Sequence, residues 1–246
     1  MRHLRWRGKA IAAIERAMQP APHLSIWDMD KTITRVPTWT PFLVHAALRR
    51  SPWRLALLPL AGMAGIAFRM GMISRARLKE LAQHWVIGPH LTVDEAQRIA
   101  DSYAARVVDT GLFARAHARV LADRAQGYRT VLATASFDFY AAAIARALEF
   151  DGVIATRSLR NDLGHILPRV DGENCYGPAK RRMVEAWMAE QGIDRPGTAI
   201  RFYSDHVSDA PMLELADEAF AVNPHPPLRR LARQRGWTII DWDRED

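Results

Sequence analysis

The sequence predicts an α/β fold in which a parallel sheet carries a helical insertion. From residue 113 onward, short apolar runs alternate with segments of helical spacing, and strands separated by such helices form parallel sheets. Residues 23–27 form one more apolar, β-branched run of strand type, whereas residues 37–112 have an almost wholly helical pattern. The helical block therefore interrupts the sheet domain between its first and second strands.

Each predicted element is supported by a local signal. Thr92 and Glu95 have the spacing of a capping box, and Gly127 ends the helix that begins at Phe113. The polar, glycine-containing stretch 156–177 is assigned no element. The elements expected after the helical block are helix 113–126, strand 130–133, helix 140–148, strand 153–154, helix 179–191, strand 199–203, helix 211–216, strand 219–222, helix 227–235 and strand 238–240.

These elements predict three structural units. Residues 23–36 and 113–246 form a Rossmann-like parallel sheet core, and 37–112 form an inserted all-helical cap domain. Residues 1–22 form a basic N-terminal helical arm, which Pro20 and Pro22 end.

Composition and charge restrict the function classes. The chain has 246 residues, 49% of them hydrophobic, which excludes a disordered chain. The single cysteine, Cys175, excludes an internal disulfide and a cysteine-based zinc site and favours a cytoplasmic location. The net charge of +7 is unevenly distributed, since residues 1–80 contain 14 basic and four acidic residues, whereas residues 81–246 contain 20 basic and 23 acidic residues. Because no recognition motif accompanies this charge, nucleic-acid binding is not expected.

An uncharged run over residues 55–68 lies among arginines within 49–79. Its length of about 21 Å is short of the ~30 Å hydrocarbon core of a bilayer, so a spanning helix is the least favoured interpretation. Two interpretations stay open. The run forms a buried or hairpin helix pair, or residues 49–79 make a peripheral contact with the inner face of a membrane.

Acidic and hydroxyl side chains follow the predicted strands at the edge where open parallel sheets bind ligands. Asp28, Asp30 and Thr32 follow the first strand, and paired carboxylates of this kind suit Mg²⁺. Thr134 and Ser136 follow the second strand, where hydroxyls and a helix start favour an anion. By themselves, these residues could instead form an Asx turn or N-caps.

Two further strand and helix ends complete the set. Lys180 begins a helix, although the macrodipole there prefers negative charge, so a bound phosphate explains it better than solvation. Asp205 and Asp209 follow a later strand. A zinc site at His206 is not expected, since no second histidine lies at ligand spacing. Acids, hydroxyls and a lysine in this order indicate phosphoryl transfer.

With these motifs, residues 23–242 resemble the phosphatases of the haloacid dehalogenase superfamily, in the phosphoserine-phosphatase-like branch with a helical cap. The motifs that carry the resemblance are Asp28-Met-Asp30-Lys-Thr32, Leu132-Ala-Thr134-Ala-Ser136, Lys180 and Ser204-Asp205-His206-Val-Ser-Asp209. The lead-out Ala221-Val-Asn223-Pro224 is also similar.

The resemblance implies a covalent mechanism in which Asp28 is the nucleophile and forms an aspartyl-phosphate. It implies that Asp30 is the general acid and then the base. Mg²⁺ would be held by the Asp28 and Asp205 carboxylates and the Asp30 carbonyl, with Asp209 orienting the site. Phosphate oxygens would be held by Thr134 and Lys180, with Ser136 belonging to the same phosphate-binding motif.

The substrate is less determined than the reaction. Phosphoserine phosphatases carry a glutamate where this chain has Pro37, and residues 33–47 contain no acid. His206 is a second departure from the family, which often has serine or glycine there. We therefore expect an anionic organic phosphate, with lipid head groups such as phosphatidylglycerophosphate among the candidates. Phosphoserine hydrolysis and a phospho-acceptor module without turnover are the alternatives.

Overall fold

A seven-stranded sheet forms the centre of the computed structural model, which describes residues 23–242. The strands run in the spatial order β4-β3-β2-β1-β5-β6-β7, and all neighbours are parallel except β3 and β4. Their bounds are β1 Leu24–Trp27, β2 Arg129–Phe137, β3 Gly152–Arg160, β4 Ile166–Asp171, β5 Ile200–Ser204, β6 Glu218–Val222 and β7 Thr238–Ile240.

Helices cover both faces of this sheet and fill the segment between β1 and β2. They are α1 Trp39–Arg50, α2 Leu58–Arg69, α3 Arg75–Val86, α4 Val93–Thr110, α5 Ala114–Ala125, α6 Asp138–Ala147, α7 Pro178–Glu190, α8 Ala210–Leu213 and α9 Pro226–Arg235. Short 3-10 helices span Pro52–Leu57 and Val207–Asp209. The predicted α/β fold class is confirmed.

The central strand β1 is buried on both faces, as its apolar sequence predicts. Leu24 and Ile26 pack with side chains of α7 and α9, whereas Trp27 packs on the opposite face. There the Trp27 ring stacks on Tyr203 with 3.7 Å between ring centroids. Apolar layers on both faces therefore fix β1 in the middle of the sheet and determine where its carboxyl end lies.

Helices α1 to α4 form the insertion, and its two ends meet. Thr34 and Leu112 pair in an isolated antiparallel bridge, and the Phe113 amide donates to the Ile33 carbonyl at 2.9 Å. The insertion also reaches the sheet, because Leu91 pairs with Ile166 of β4. The predicted capping box at α4 is confirmed. The domain boundaries themselves stay a prediction, and the proposed arm over residues 1–22 lies outside the described residues.

Two sequence-based assignments were wrong. Residues 156–177, expected to lack regular structure, contain most of β3 and all of β4, which pair as an antiparallel hairpin. The hairpin escaped the apolar pattern because its strands are only partly buried and contain Arg157, Arg160 and Arg169. Strand β2 also continues to Phe137, four residues beyond its predicted bound of 133.

None of the helices described within residues 23–242 is long and apolar enough to cross a bilayer.

Candidate active site

The carboxyl ends of β1, β2 and β5 bring the predicted motifs together. Trp27 pairs in register with Leu132 of β2 and Tyr203 of β5, so Asp28, Thr134 and Asp205 all lie just beyond these paired positions. The backbone after β1 turns sharply, since the amides of Thr32, Ile33 and Thr34 all donate to the Met29 carbonyl. Lys31 has a positive φ of 61° within this turn. The turn leaves the Asp28 carboxylate at the sheet edge.

Lys180 joins the first and last motifs directly. Its Nζ donates to Asp28 Oδ1 at 2.7 Å and to Asp209 Oδ2 at 2.6 Å, and its side chain is only 2% exposed. Gly177, with a φ of 58°, turns the chain into α7 and brings Lys180 to this position. Burial lowers the pKa of Lys180, but the charges of Asp209 and Asp28 outweigh it and raise that pKa above its usual value. The lysine therefore stays a cation.

The acidic side chains at this edge of the sheet outnumber the basic side chains that contact them. Burial raises the pKa of Asp28 to about 8, although Lys180 opposes the rise, and Asp209 and Asp205 add to it. Burial and the charge of Asp209 raise the pKa of Asp205 to about 7. Asp209 Oδ2 accepts from Ser204 Oγ at 2.8 Å, while its Oδ1 is buried without a hydrogen-bond partner. Such a cluster calls for an additional cation.

The residues present fit a divalent metal ion. Hard oxygen ligands suit Mg²⁺, and the excess carboxylate charge together with the unpartnered Asp209 Oδ1 supplies the electrostatic reason to bind one. Within residues 23–242 no group of three His, Cys, Asp or Glu side chains is arranged to hold a metal. The ligand set that the resemblance implies would use two carboxylates, from Asp28 and Asp205, and one backbone carbonyl, so it does not require such a group.

Asp30 is held by the start of the insertion. Its Oδ1 accepts from the Thr38 amide at 2.9 Å and from Thr38 Oγ1 at 2.8 Å. Burial raises the pKa of Asp30 above its usual value, and the Thr38 hydrogen bonds only partly offset this rise. A raised pKa favours the protonated form that a general acid must have. Thr38, which the sequence analysis did not assign, therefore positions Asp30.

The two hydroxyls of β2 have different partners. Thr134 is buried, and its Oγ1 accepts from the Ser136 amide at 3.1 Å. Ser136 Oγ accepts from the Tyr140 hydroxyl at 2.6 Å and lies 3.3 Å from Thr38 Oγ1. Ser136 is thus linked through Thr38 to Asp30, and its phosphate-binding role stays a prediction. The register of β2 against β3 shifts between Thr134 and Phe137, the stretch that contains Ser136.

Lys79 of α3 reaches the site from the cap. Its Nζ donates to the Ala135 carbonyl and, at 2.8 Å, to Asn174 Oδ1. Burial and the charge of Arg75 lower the pKa of Lys79 to about 7, while Asp30 opposes the change. No local sequence signal identifies this lysine, because its partners are far away in the chain. Lys79 therefore brings to the site an amine that is a cation below about pH 7 and neutral above it.

Other arginines of 49–79 also bind within the protein. Arg50 Nη1 donates to the Ile87 carbonyl at 2.9 Å, and Arg54 Nη1 donates to the Trp85 carbonyl at 3.0 Å. Arg50, Arg54 and Lys79 therefore have partners within the protein, and the membrane contact of residues 49–79 stays a prediction.

His206, the departure in the last motif, stabilises the loop beside Asp205. Its ring stacks on His225 with 4.2 Å between centroids, and its Nδ1 lies 2.9 Å from Ser208 Oγ. His225 Nδ1 in turn contacts the Asp205 carbonyl at 2.9 Å. Burial and the neighbouring His225 lower the pKa of His206, which favours a neutral ring. The substitution thus acts on the backbone of the motif and leaves the Asp205 carboxylate in place.

Comparisons with known proteins agree with this geometry. The family model for haloacid dehalogenase-like hydrolases matches residues 26–214. The chain is 32% identical over 217 residues to Protein CicA of Caulobacter vibrioides, covering 87% of this chain and 93% of that protein. It is 37% identical over 116 residues to Phosphoserine phosphatase SerB1 of Mycobacterium tuberculosis. That match covers 47% of this chain and only 37% of the mycobacterial protein.

Solved structures show the same fold. A Bordetella pertussis Tohama I protein of unknown function superposes with a TM-score of 0.79 at 27% identity, covering 90% of this chain and 99% of that chain. A substrate-bound phosphoserine phosphatase complex superposes with a TM-score of 0.60 at 17% identity, covering 90% and 94%. The predicted hydrolase class is confirmed. The chain belongs to the haloacid dehalogenase-like hydrolase family, and its fold is that of the phosphoserine phosphatases in that family.

Proposed function

We propose that this chain is a phosphatase that hydrolyses a phosphate monoester through an aspartyl-phosphate intermediate on Asp28. The observation that carries the proposal is Lys180, buried at the sheet edge, with its Nζ 2.7 Å from Asp28 and 2.6 Å from Asp209. A buried cation beside a nucleophilic carboxylate favours its ionised form and attracts the substrate's phosphate.

Asp28 Oδ attacks phosphorus, the bond from phosphorus to the ester oxygen breaks, and the leaving alkoxide takes a proton from Asp30. Asp30 then accepts a proton from the water that attacks the acyl phosphate, which releases inorganic phosphate and restores Asp28. Lys180 and the Thr134 hydroxyl hold the phosphate oxygens through both steps. Thr38 keeps Asp30 aimed at the site through its two hydrogen bonds.

Mg²⁺ fits this site, where the Asp28 and Asp205 carboxylates and the Asp30 carbonyl would hold it. When bound, it neutralises the excess carboxylate charge and the charge of the phosphate. Asp209 supports this arrangement by fixing Lys180 and Ser204.

For the substrate we favour an anionic organic phosphate, with a lipid head group such as phosphatidylglycerophosphate among the candidates. Arg75, together with Lys79 when that lysine is protonated, supplies positive charge from the cap, which suits a leaving group that carries a second negative charge. Phosphoserine hydrolysis is the second candidate, favoured by the fold shared with a substrate-bound phosphoserine phosphatase. The absence of any acid in 33–47 to receive its amine counts against it.

The test is hydrolysis of p-nitrophenyl phosphate by the purified chain with Mg²⁺ or with EDTA. We expect turnover only with the metal, and none from Asp28→Asn. Asp101→Asn is the matched control, because it makes the same chemical change at a half-exposed position on α4. Equal turnover by Asp28→Asn and the control would contradict the mechanism.

Two further measurements separate the alternatives. Hydroxylamine should trap the acyl phosphate during turnover, whereas a long-lived acyl phosphate without turnover would indicate a phospho-acceptor module. A screen with phosphoserine and phosphatidylglycerophosphate side by side then distinguishes the substrate classes.

A further inference from the structure

The outward face of α2 is apolar, although helices that contact water normally expose polar side chains there. Met63 is 61% exposed and Ile66 is 59% exposed, and Met70 at the helix end is 69% exposed. These positions are three and four residues apart, so they share one face of the helix. Only Ala64 of α2 is buried. Just past the helix end, Met72 is 70% exposed, which extends the apolar surface.

The chain around this face is positively charged throughout. From Lys31 to Lys79 the sequence contains nine basic residues and no acidic residue. Arg69 is exposed at the end of α2, and Arg77, exposed at the start of α3, lies 3.4 Å from Glu80 in an ion pair. An apolar face in a segment of net positive charge is complementary to an interface that combines apolar chains with anionic groups.

The α2 face ends close to the candidate active site. The Arg75 guanidinium lies 5.3 Å from the Phe68 ring centroid at the end of α2, and 4.1 Å from that of Tyr176. Tyr176 in turn lies 6.3 Å, between centroids, from His206, the neighbour of Asp205. A short series of contacts therefore connects the apolar helix to the catalytic edge of the sheet.

Charge also decides between possible occupants of this face. Residues 1–22 contain five basic residues and one acidic residue, so this segment has the same sign of charge as the face. A second copy of the chain that docked through its own α2 face would likewise place cations against cations. Neither offers the anionic complement that the face requires.

We propose that the α2 face docks on the surface of an anionic lipid bilayer, with Met63, Ile66 and Met70 inserted among the head groups. With 12 residues, α2 is about 18 Å long, so it lies in the interface and does not span the membrane. Docking brings the end of α2, and the catalytic edge of the sheet that it is connected to, close to the head groups. The inference that docking presents lipid phosphates to the site for hydrolysis rests on the proposed phosphatase function. Docking itself does not rest on that function.

The test is sedimentation of the full chain with vesicles of phosphatidylcholine alone and with phosphatidylglycerol added, at low salt. Wild-type protein should bind the anionic vesicles and bind the neutral ones weakly. A double variant with Met63→Ser and Ile66→Ser should bind about tenfold more weakly, because it loses two inserted apolar side chains. The matched control is Leu121→Ser with Leu163→Ser, two exposed leucines outside the insertion, 46% and 75% exposed. The control should bind as the wild type does.

Three results would overturn the docking proposal. The first is no preference for anionic vesicles, and the second is equal binding by the α2 variant, which would assign binding to residues 1–22. The third is a dimer in light scattering that the α2 variant dissociates, which would make a second copy the occupant. Turnover of p-nitrophenyl phosphate by the same wild-type preparation tests the proposed function separately, because this soluble substrate needs no membrane.

Discussion

Replacing Lys180 with methionine removes the buried cation that two carboxylates share, while nearly keeping the volume of the side chain. Lys180 is 2% exposed and Asp209 is 3% exposed, so water cannot replace the lost partner. Breaking a buried pair by removing one partner costs about 3–5 kcal/mol, because it leaves an uncompensated charge. We expect Lys180→Met to lower the free energy of unfolding by about 4 kcal/mol near pH 8.

The loss should shrink as the pH falls. Lys180 lowers the pKa of Asp28, which burial has already raised to about 8, so the variant raises this pKa further. A carboxyl whose pKa is higher in the folded state stabilises the fold at low pH, and this contribution disappears as the pH rises through the folded value. Protonated Asp28 needs no counter-charge. Near pH 6 the destabilisation should therefore be smaller by about 1–2 kcal/mol.

The measurement is urea unfolding followed by tryptophan fluorescence, since Trp27 is buried next to the site. Adding Asp209→Asn to the variant should recover part of the loss, because it removes one of the uncompensated charges. Lys31→Met is the control for losing a lysine at an exposed position, and its effect should stay within about 0.5 kcal/mol. A loss below about 1 kcal/mol for Lys180→Met, or no recovery in the double variant, would refute the reasoning.

Three other changes are predicted. Mg²⁺ should raise the melting temperature more near pH 8 than near pH 6. Asp28 and Asp205, with pKa values of about 8 and about 7, must lose protons to bind the ion. Calorimetry that shows equal shifts of the melting temperature at both pH values would contradict this prediction. Thr92→Ala should lower the free energy of unfolding by about 1 kcal/mol through loss of the capping box, measured in urea, and an unchanged midpoint would count against it. Lys79→Met should lower kcat/KM about tenfold for a substrate with an anionic leaving group, and should lower it less for p-nitrophenyl phosphate. Steady-state kinetics that show the same loss of kcat/KM for both substrates would assign Lys79 a structural role only.

The ends of the strands show which parts of the site a local sequence pattern can predict. Buried strands such as β1 are continuous apolar runs, so their ends, and hence Asp28 and Asp205, can be placed from the sequence. The β3–β4 hairpin could not be placed this way, because half-exposed strands with several arginines lack an apolar run. The end of β2 was also missed, since Ala135 and Ser136 belong to an irregular pairing that depends on the neighbouring strand.

The sequence by itself determined the fold class and the acids, hydroxyls and lysine that follow the strands, because these are local patterns repeated along the chain. Only the tertiary structure decided how they are paired. Lys180 contacts Asp28 across 152 positions, and Lys79 contacts Asn174 across 95. Such contacts are made when the sheet closes and the insertion packs on it. No local pattern records them, since each partner is chosen by the geometry of elements far apart in the chain.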